Sequence, residues 1–379
     1  LPAKPKIFYG RDLELEEIIV AISQESPHVA ILGGGGMGKT TLAKAVLHHP
    51  DIITKYDHRF FVPADSATSS TELATQIGFH IGLKPAGDLT RPVVQYFANG
   101  TSALLILDNL ETPWEPMESR GKVEEFLSLL ADVAHLALII TMRGAERPAK
   151  VRWTRPFLQP LGPISDNAAR KTFMDITDDA HESHQVDRIL QLTDNMPLAV
   201  DLIAHLVDYE GCSNVLTRWE TEKTSLLSQG CDRRSSLDAS IMISFSSPRI
   251  QSSPGAKDLL SLLSILPDGL SDMELVQSKV LTEDPLGCKA VLLATSLAYN
   301  DNKRHLKSLA PIREHIQQIH PPSATLMRPL AKHYHLLLDL YEKCDGTPQM
   351  GIIMDQTILN FGNLNQVLRR GLGHLDLED

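Results

Sequence analysis

Between residues 28 and 161 the chain alternates short apolar runs with longer stretches in which apolar residues return every three or four positions. The runs cover residues 28–32, 60–63, 103–108 and 136–141, with a weaker one at 155–161. Leu104-Leu105-Ile106-Leu107 has no polar break, the pattern of a strand buried on both faces. Between the runs, residues 40–48, 70–83 and 122–134 carry helical periodicity. In the second of these, Leu73, Ile77 and Ile81 make one stripe and Ser70 stands where an N-cap belongs. Strands alternating with helices predict a parallel sheet with crossover helices, an α/β domain over residues 1–160.

The strand pattern stops at Pro160-Leu161-Gly162-Pro163. Residues 165–227 read as helical, with Ser165 or Asp166 capping a first helix over 167–176. A polar stretch, 228–236, reads as a linker. A second helical unit, marked by 237–245, 257–265 and 272–277, ends near Pro321-Pro322. Beyond it Leu330, Tyr334, Leu337, Leu338 and Tyr341 share a helix face, and 358–372 forms another helix, as at the opening of a repeat array. The expected division is 1–160, 161–228, 235–320 and 323–379.

Composition narrows the function. The 379 residues carry a formal net charge of −11, which argues against a surface built for the nucleic-acid backbone. No apolar run approaches the ~20 residues that span a bilayer. The chain begins at Leu1 without an apolar signal core, as expected of a piece of a longer protein. Cys212, Cys231, Cys288 and Cys344 are scattered, which fits a reducing, cytoplasmic setting. Pairs such as His181/His184 and His333/His335 lack further ligands at metal spacing. Asp178-Asp179 and the acidic 376–379 read as solvated charge, and Trp114, Trp153 and Trp219 as packing residues.

The sharpest signal is Gly33-Gly34-Gly35-Gly36-Met37-Gly38-Lys39-Thr40, a full match to G-x-x-x-x-G-K-[ST]. Glycines let consecutive N–H groups converge on one phosphate, and the helix that follows adds its positive end. Lys39 supplies a cation for the terminal phosphates, and Thr40 a hydroxyl for magnesium. Context supports the motif, because 29–32 reads as the preceding strand and 41–47 as the following helix. Asp108, ending the run 104–107, is placed to face the magnesium of a bound triphosphate. Glu111 is positioned to orient an attacking water, while Asn109 cannot act as a base, so hydrolysis is expected to be slow. Arg143 follows the run 136–141 at the same sheet edge, where a guanidinium can report a γ-phosphate.

The motif order resembles the STAND class of signalling ATPases, specifically the NB-ARC and NACHT-like modules of NLR-type innate-immunity proteins, with wording closest to fungal ones. The resemblance begins at Phe8-Tyr9-Gly10-Arg11-Asp12, runs through Gly33–Thr41, Leu104–Glu111 and Ile139–Arg143, and includes Asp194-Asn195-Met196-Pro197-Leu198-Ala199. Residues 237–241 and 262–269 resemble the start of the family's winged-helix domain, so coverage is about 6–320. The resemblance implies that Tyr9, Gly10 and Arg11 lie against base and ribose and that Pro197 packs on adenine. Gly33, Gly36, Met37, Gly38, Lys39, Thr40 and Thr41 would hold the phosphates, with Thr40 and Asp108 on Mg2+ and Arg143 as sensor. Such a protein rests closed around ADP, opens on exchange for ATP and forms a homo-oligomer, with an effector domain before this segment and a sensor or repeat region after it. Two departures stand out: Asn109 replaces the second acid, and Ala310 stands where the family has a winged-helix histidine, with Arg313 and His315 nearby.

Two other classes compete. A DNA-binding ATPase of the origin-recognition or transcription-activator kind also joins such a fold to a winged helix, and would use Lys303, Arg304, Lys307 and Arg313. A GTPase or metabolic kinase would need a guanine motif N-K-x-D or a substrate lid, and neither pattern appears in the sequence.

Overall fold

A computed structural model describes residues 1–84, 87–177, 181–222, 237–281, 284–301, 303–343 and 350–372. It divides into two compact units, Leu1–Gln191 with Asn195–Ser213, and Leu192–Asp194 with the chain from Asn214 onward. The expected linker at 228–236, Asp178-Asp179, the acidic 376–379, Cys231 and Cys344 lie outside the described residues. Cys212 and Cys288 are buried. No described helix is long and apolar enough to cross a membrane.

The first unit is built on β1 (His28–Gly33), β2 (His58–Pro63), β3 (Ala103–Asp108) and β4 (Leu136–Arg143). All are parallel, in the order β1-β4-β3-β2. Helices α1 (Asp12–Ile22), α2 (Lys39–Leu47), α3 (Pro50–Lys55), α4 (Ser70–His80), α5 (Thr90–Ala98), α6 (Glu111–Trp114) and α7 (Met117–Ala131) connect and flank the strands. Then come α8 (Asp166–Ile176), α9 (Ser183–Thr193) and α10 (Pro197–Glu210). Every residue of β1 and β3 is buried, as continuous apolar runs require, while the edge strand β2 buries only Val62. On one sheet face Leu105, Leu107, Leu138 and Ile140 meet Leu73 and Ile77 of α4 and Val123, Phe126 and Leu130 of α7. Each such side chain contributes roughly 1.5–3 kcal/mol of burial.

Two local expectations shift. The cap of α4 is Ser69, which accepts from the Glu72 N–H, one residue before the expected Ser70. The run at 155–161 yields a single parallel bridge, Gly33 to Leu161, rather than a strand. Pro156 and Pro160 have no N–H to give a ladder. The order of the strands matters most for the site. β4 lies between β1 and β3, so its C-terminal end stands between the glycine loop after β1 and Asp108 at the end of β3.

In the second unit α11 (Cys212–Glu222), α12 (Leu237–Phe245), α13 (Pro248–Gln251), α14 (Pro254–Ile265), α15 (Asp272–Gln277) and α16 (Pro285–Ala294) precede a short antiparallel ribbon, β5 (Tyr299–Asn300) with β6 (Leu306–Lys307). α17 (Ala310–Ile319), α18 (Ala324–Lys343), α19 (Met350–Leu359) and α20 (Phe361–Leu372) complete it. α14 is the central helix, burying Leu259, Leu260, Leu262, Leu263 and Ile265. α15 starts with a capping box between Ser271 and Glu274. Of the stripe expected on α18, Leu330, Tyr334 and Leu337 are buried, whereas Tyr341 stays 38% exposed. The Tyr334 hydroxyl accepts from Asn363 Nδ2 at 2.9 Å, tying α18 to α20. The helix expected over 358–372 resolves into the end of α19 and α20.

Candidate nucleotide site

The glycine loop needs its glycines. Gly33, Gly36 and Gly38 have φ of +143°, +77° and +85°, conformations that strain an L side chain. Gly38 is the N-cap of α2 and brings no side-chain cap, so side chains leave the first-turn N–H groups uncompensated and aimed into the loop. Lys39 folds back over this loop. Its Nζ donates to Gly33 O at 3.0 Å and Gly34 O at 2.7 Å, and the residue is 7% exposed. Burial lowers the ammonium to about 8; Glu111 opposes that, Arg143 adds to it, and Asp108 opposes it more weakly. Met37 is buried, and Thr41 half-buried, in the same segment.

Asp108 is 5% exposed and takes hydroxyl donors from two sides. Thr40 Oγ1 lies 2.9 and 3.1 Å from its two carboxylate oxygens, and Thr141 Oγ1 donates to one of them at 2.6 Å. Thr141 also accepts from the Asn109 N–H at 3.0 Å, fixing the turn in which Asn109 takes φ +60°. Sequence reasoning missed Thr141. Its signal was a single hydroxyl inside the apolar run 136–142.

Arg143 and Glu111 come together at the end of β4 and the start of α6. Arg143 Nε lies 3.2 Å from Glu111 Oε1, and the Arg143 N–H donates to Oε2 at 3.3 Å. Their side chains are 19% and 9% exposed. Glu124, also unforeseen, is buried and accepts from Trp114 Nε1 at 2.9 Å and Ala149 N at 3.1 Å. It joins α6, α7 and the segment after β4.

The lead-in residues approach the loop from the other side. Arg11 is buried; it donates to Met37 O at 3.1 Å and to Gly162 O, and pairs with Glu14 at 2.7 Å. Gly10 has φ +73°, and a Cβ there would overlap Ala168 of α8. The Tyr9 hydroxyl lies 3.4 Å from Asp175 on α8, and the residue is 36% exposed. Pro197 is the first residue of α10, where its missing N–H is harmless. The next N–H, of Leu198, donates to Gly36 O at 3.1 Å. A Cβ on Gly36 would stand 2.7 Å from Met196 Cε and 3.0 Å from Leu198 Cβ. The start of α10 is therefore packed on the glycine loop.

A magnesium nucleotide fits this donor set. The site offers a buried cation, an uncapped helix start and a hydroxyl–carboxylate pair of hard oxygens. The sequence profile of the novel STAND NTPase 1 family matches residues 2–201, over half the chain. The chain belongs to the novel STAND NTPases. STAND NTPases bind nucleotides and oligomerise. The putative disease resistance protein RGA4 of Solanum bulbocastanum is 32% identical over 137 residues, which is 33% of this STAND chain and 14% of that protein. The chain thus spans a small part of that relative. A Walker-type ATPase of Pyrococcus abyssi superposes with TM-score 0.59 at 12% identity, covering 84% of this chain and 98% of that one, a likeness of fold. A STAND protein with a tetratricopeptide repeat sensor from Pyrococcus horikoshii gives TM-score 0.38 at 17% identity, over 97% of this chain and 53% of that one.

Proposed function

We propose that this STAND chain is a switch gated by ATP and ADP, with slow hydrolysis. The observation that supports this most is the hydrogen bond from Leu198 N–H to Gly36 O. It ties a helix of the segment after the α/β fold directly to the loop that would hold the β-phosphate, so loop and helix must adjust together. In this reading the loop N–H groups and Lys39 hold the phosphates, and Thr40 and Asp108 hold Mg2+. The metal would supply charge neutralisation at the terminal phosphates. Pro197 would pack on adenine, and Arg11 would brace the loop through Met37 O. Tyr9 and Gly10 would border the base and ribose, with Tyr9 set by Asp175. Arg143 would sense the γ-phosphate, and Glu111 would orient water. Because Asn109 offers no second acid, turnover is slow and the bound state persists long enough to act as a signal.

The α12–α17 region with its ribbon serves as a winged-helix domain, and α18–α20 as the start of a sensor region. Exchange of ADP for ATP then shifts the population between closed and open arrangements and permits self-assembly. The DNA-binding alternative relies on cations around the ribbon, yet Lys307 is already 3.1 Å from Asp301. A salt-dependent DNA titration distinguishes the two readings, since binding through phosphates weakens steeply with salt. The test of the site is calorimetric binding of ATP and ADP to the wild type and to Lys39→Ala. The variant is expected to bind neither; wild-type affinity in the variant contradicts the proposal.

A further inference from the structure

Glu111 and Arg143 touch at two points of different character. One is a side-chain pair, Nε to Oε1 at 3.2 Å. The other ties Oε2 to the Arg143 main-chain N–H at 3.3 Å, and that N–H belongs to β4. A guanidinium on its flexible stem can move to a new anion; a strand N–H cannot. Resting on the switch reading above, we propose that Glu111 is the internal competitor against which the terminal phosphate is read. It holds the Arg143 guanidinium when the nucleotide is a diphosphate and yields it when a γ-phosphate is present.

The two-point contact gives this exchange an asymmetry. When the guanidinium leaves Oε1, Oε2 keeps its main-chain donor, so Glu111 stays in place with one oxygen open to accept from a water. A single residue would thus set the diphosphate preference and become competent to orient water only after the exchange. Lys39 is buried within electrostatic reach of Glu111, Arg143 and Asp108. An incoming anion must therefore compete with resident carboxylates for both cations. The Arg143 competition depends wholly on the γ-phosphate, whereas Lys39 is shared between the β- and γ-phosphates and responds less to the loss of one. Glu111 hence lowers triphosphate affinity more than diphosphate affinity. For a hydrogen bond to a charged group the lower bound of this penalty is ~10-fold, equivalent to ~1.4 kcal/mol.

The test is a double-mutant cycle read by calorimetry. The measured quantity is the ratio of affinities for the β,γ-imido triphosphate and for ADP, in magnesium at pH 7.5. Glu111→Gln keeps shape while removing charge, and is expected to raise the ratio at least ~10-fold in the wild-type background. In an Arg143→Ala background the same substitution is expected to leave the ratio unchanged. Should Arg143→Ala not fold by circular dichroism, Arg143→Gln takes its place. An unchanged ratio in Glu111→Gln overturns the proposal, because Glu111 would then not compete at all, and so does an equal rise in both backgrounds, because Glu111 would then act by general charge alone. A ratio lowered by Arg143→Ala, with no effect of Glu111→Gln, removes the competition but keeps the sensor. A wild-type ratio in Arg143→Ala removes the sensor reading as well.

Discussion

Replacing Lys39 with methionine should stabilise the nucleotide-free protein near neutral pH while abolishing its ligand. Burial carries the Lys39 ammonium from 10.5 down to about 8. At ~1.4 kcal/mol per pH unit, that gap corresponds to about 3 kcal/mol of destabilisation from holding the charge. The sign follows from proton counts. Between pH 8 and 10.5 the unfolded chain keeps a proton that the folded chain has lost, so stability rises with pH across that window. Below pH 8 both states are protonated and the whole penalty is present. Methionine keeps the stem but removes the donor to Gly33 O and Gly34 O, at ~1 kcal/mol for each bond. The net expectation is a gain of ~1 kcal/mol for Lys39→Met at pH 7, reversing to a loss of up to ~2 kcal/mol by pH 10. Urea denaturation in EDTA, on protein stripped of nucleotide, measures both ends. A variant less stable than the wild type at pH 7, by an amount that stays flat to pH 10, refutes the reasoning. With excess Mg-ATP the order should invert, since only the wild type gains ligand stabilisation.

Other substitutions probe separate links. Thr141→Val removes the donor to Asp108 and the acceptor of the Asn109 N–H, and should cost ~1–3 kcal/mol in urea denaturation; wild-type stability would count against the buried network. Gly36→Ala combines φ +77° with a Cβ pressed onto Met196 and Leu198, so ADP binding by calorimetry should weaken at least ~10-fold. Undiminished binding would mean that the start of α10 does not constrain the loop. Ser271→Ala breaks the capping box of α15 and should lower stability by ~1 kcal/mol, with nucleotide affinity unchanged. A loss of affinity in that variant would contradict the placement of the nucleotide site on the loop, strand ends and α10 alone.

Legibility in the sequence followed how local each determinant is. The strand β3 was readable because a residue buried on both faces has no polar alternation to confuse it, and the observed bounds, Ala103–Asp108, coincide with the run. The stripe of α4 was readable for the converse reason, since Leu73 and Ile77 are buried on one side of a helix that water wets on the other. α3 and α5 were not foreseen: α3 is a six-residue turn of helix, and α5 carries Pro92 in its first turn. The glycine loop, Asp108 and Arg143 could be found one by one as strand ends. What could not be read was that β4 stands between β1 and β3, which is a long-range choice of pairing. That order brings Thr141 onto Asp108 and Arg143 onto Glu111. The main-chain partners of Arg11, Met37 and Gly162, and the packing of Leu198 on Gly36 likewise join positions 26 or more residues apart, beyond any local periodicity.

The central claim is that this STAND chain traps its nucleotide and is gated by which one it holds. The most direct measurement is the identity and amount of nucleotide released by heat from freshly purified protein, read by chromatography. Near-stoichiometric ADP, resistant to extensive dialysis, is the predicted result. A site that is purified empty, exchanges quickly and turns ATP over rapidly would contradict the account and describe a cycling ATPase instead.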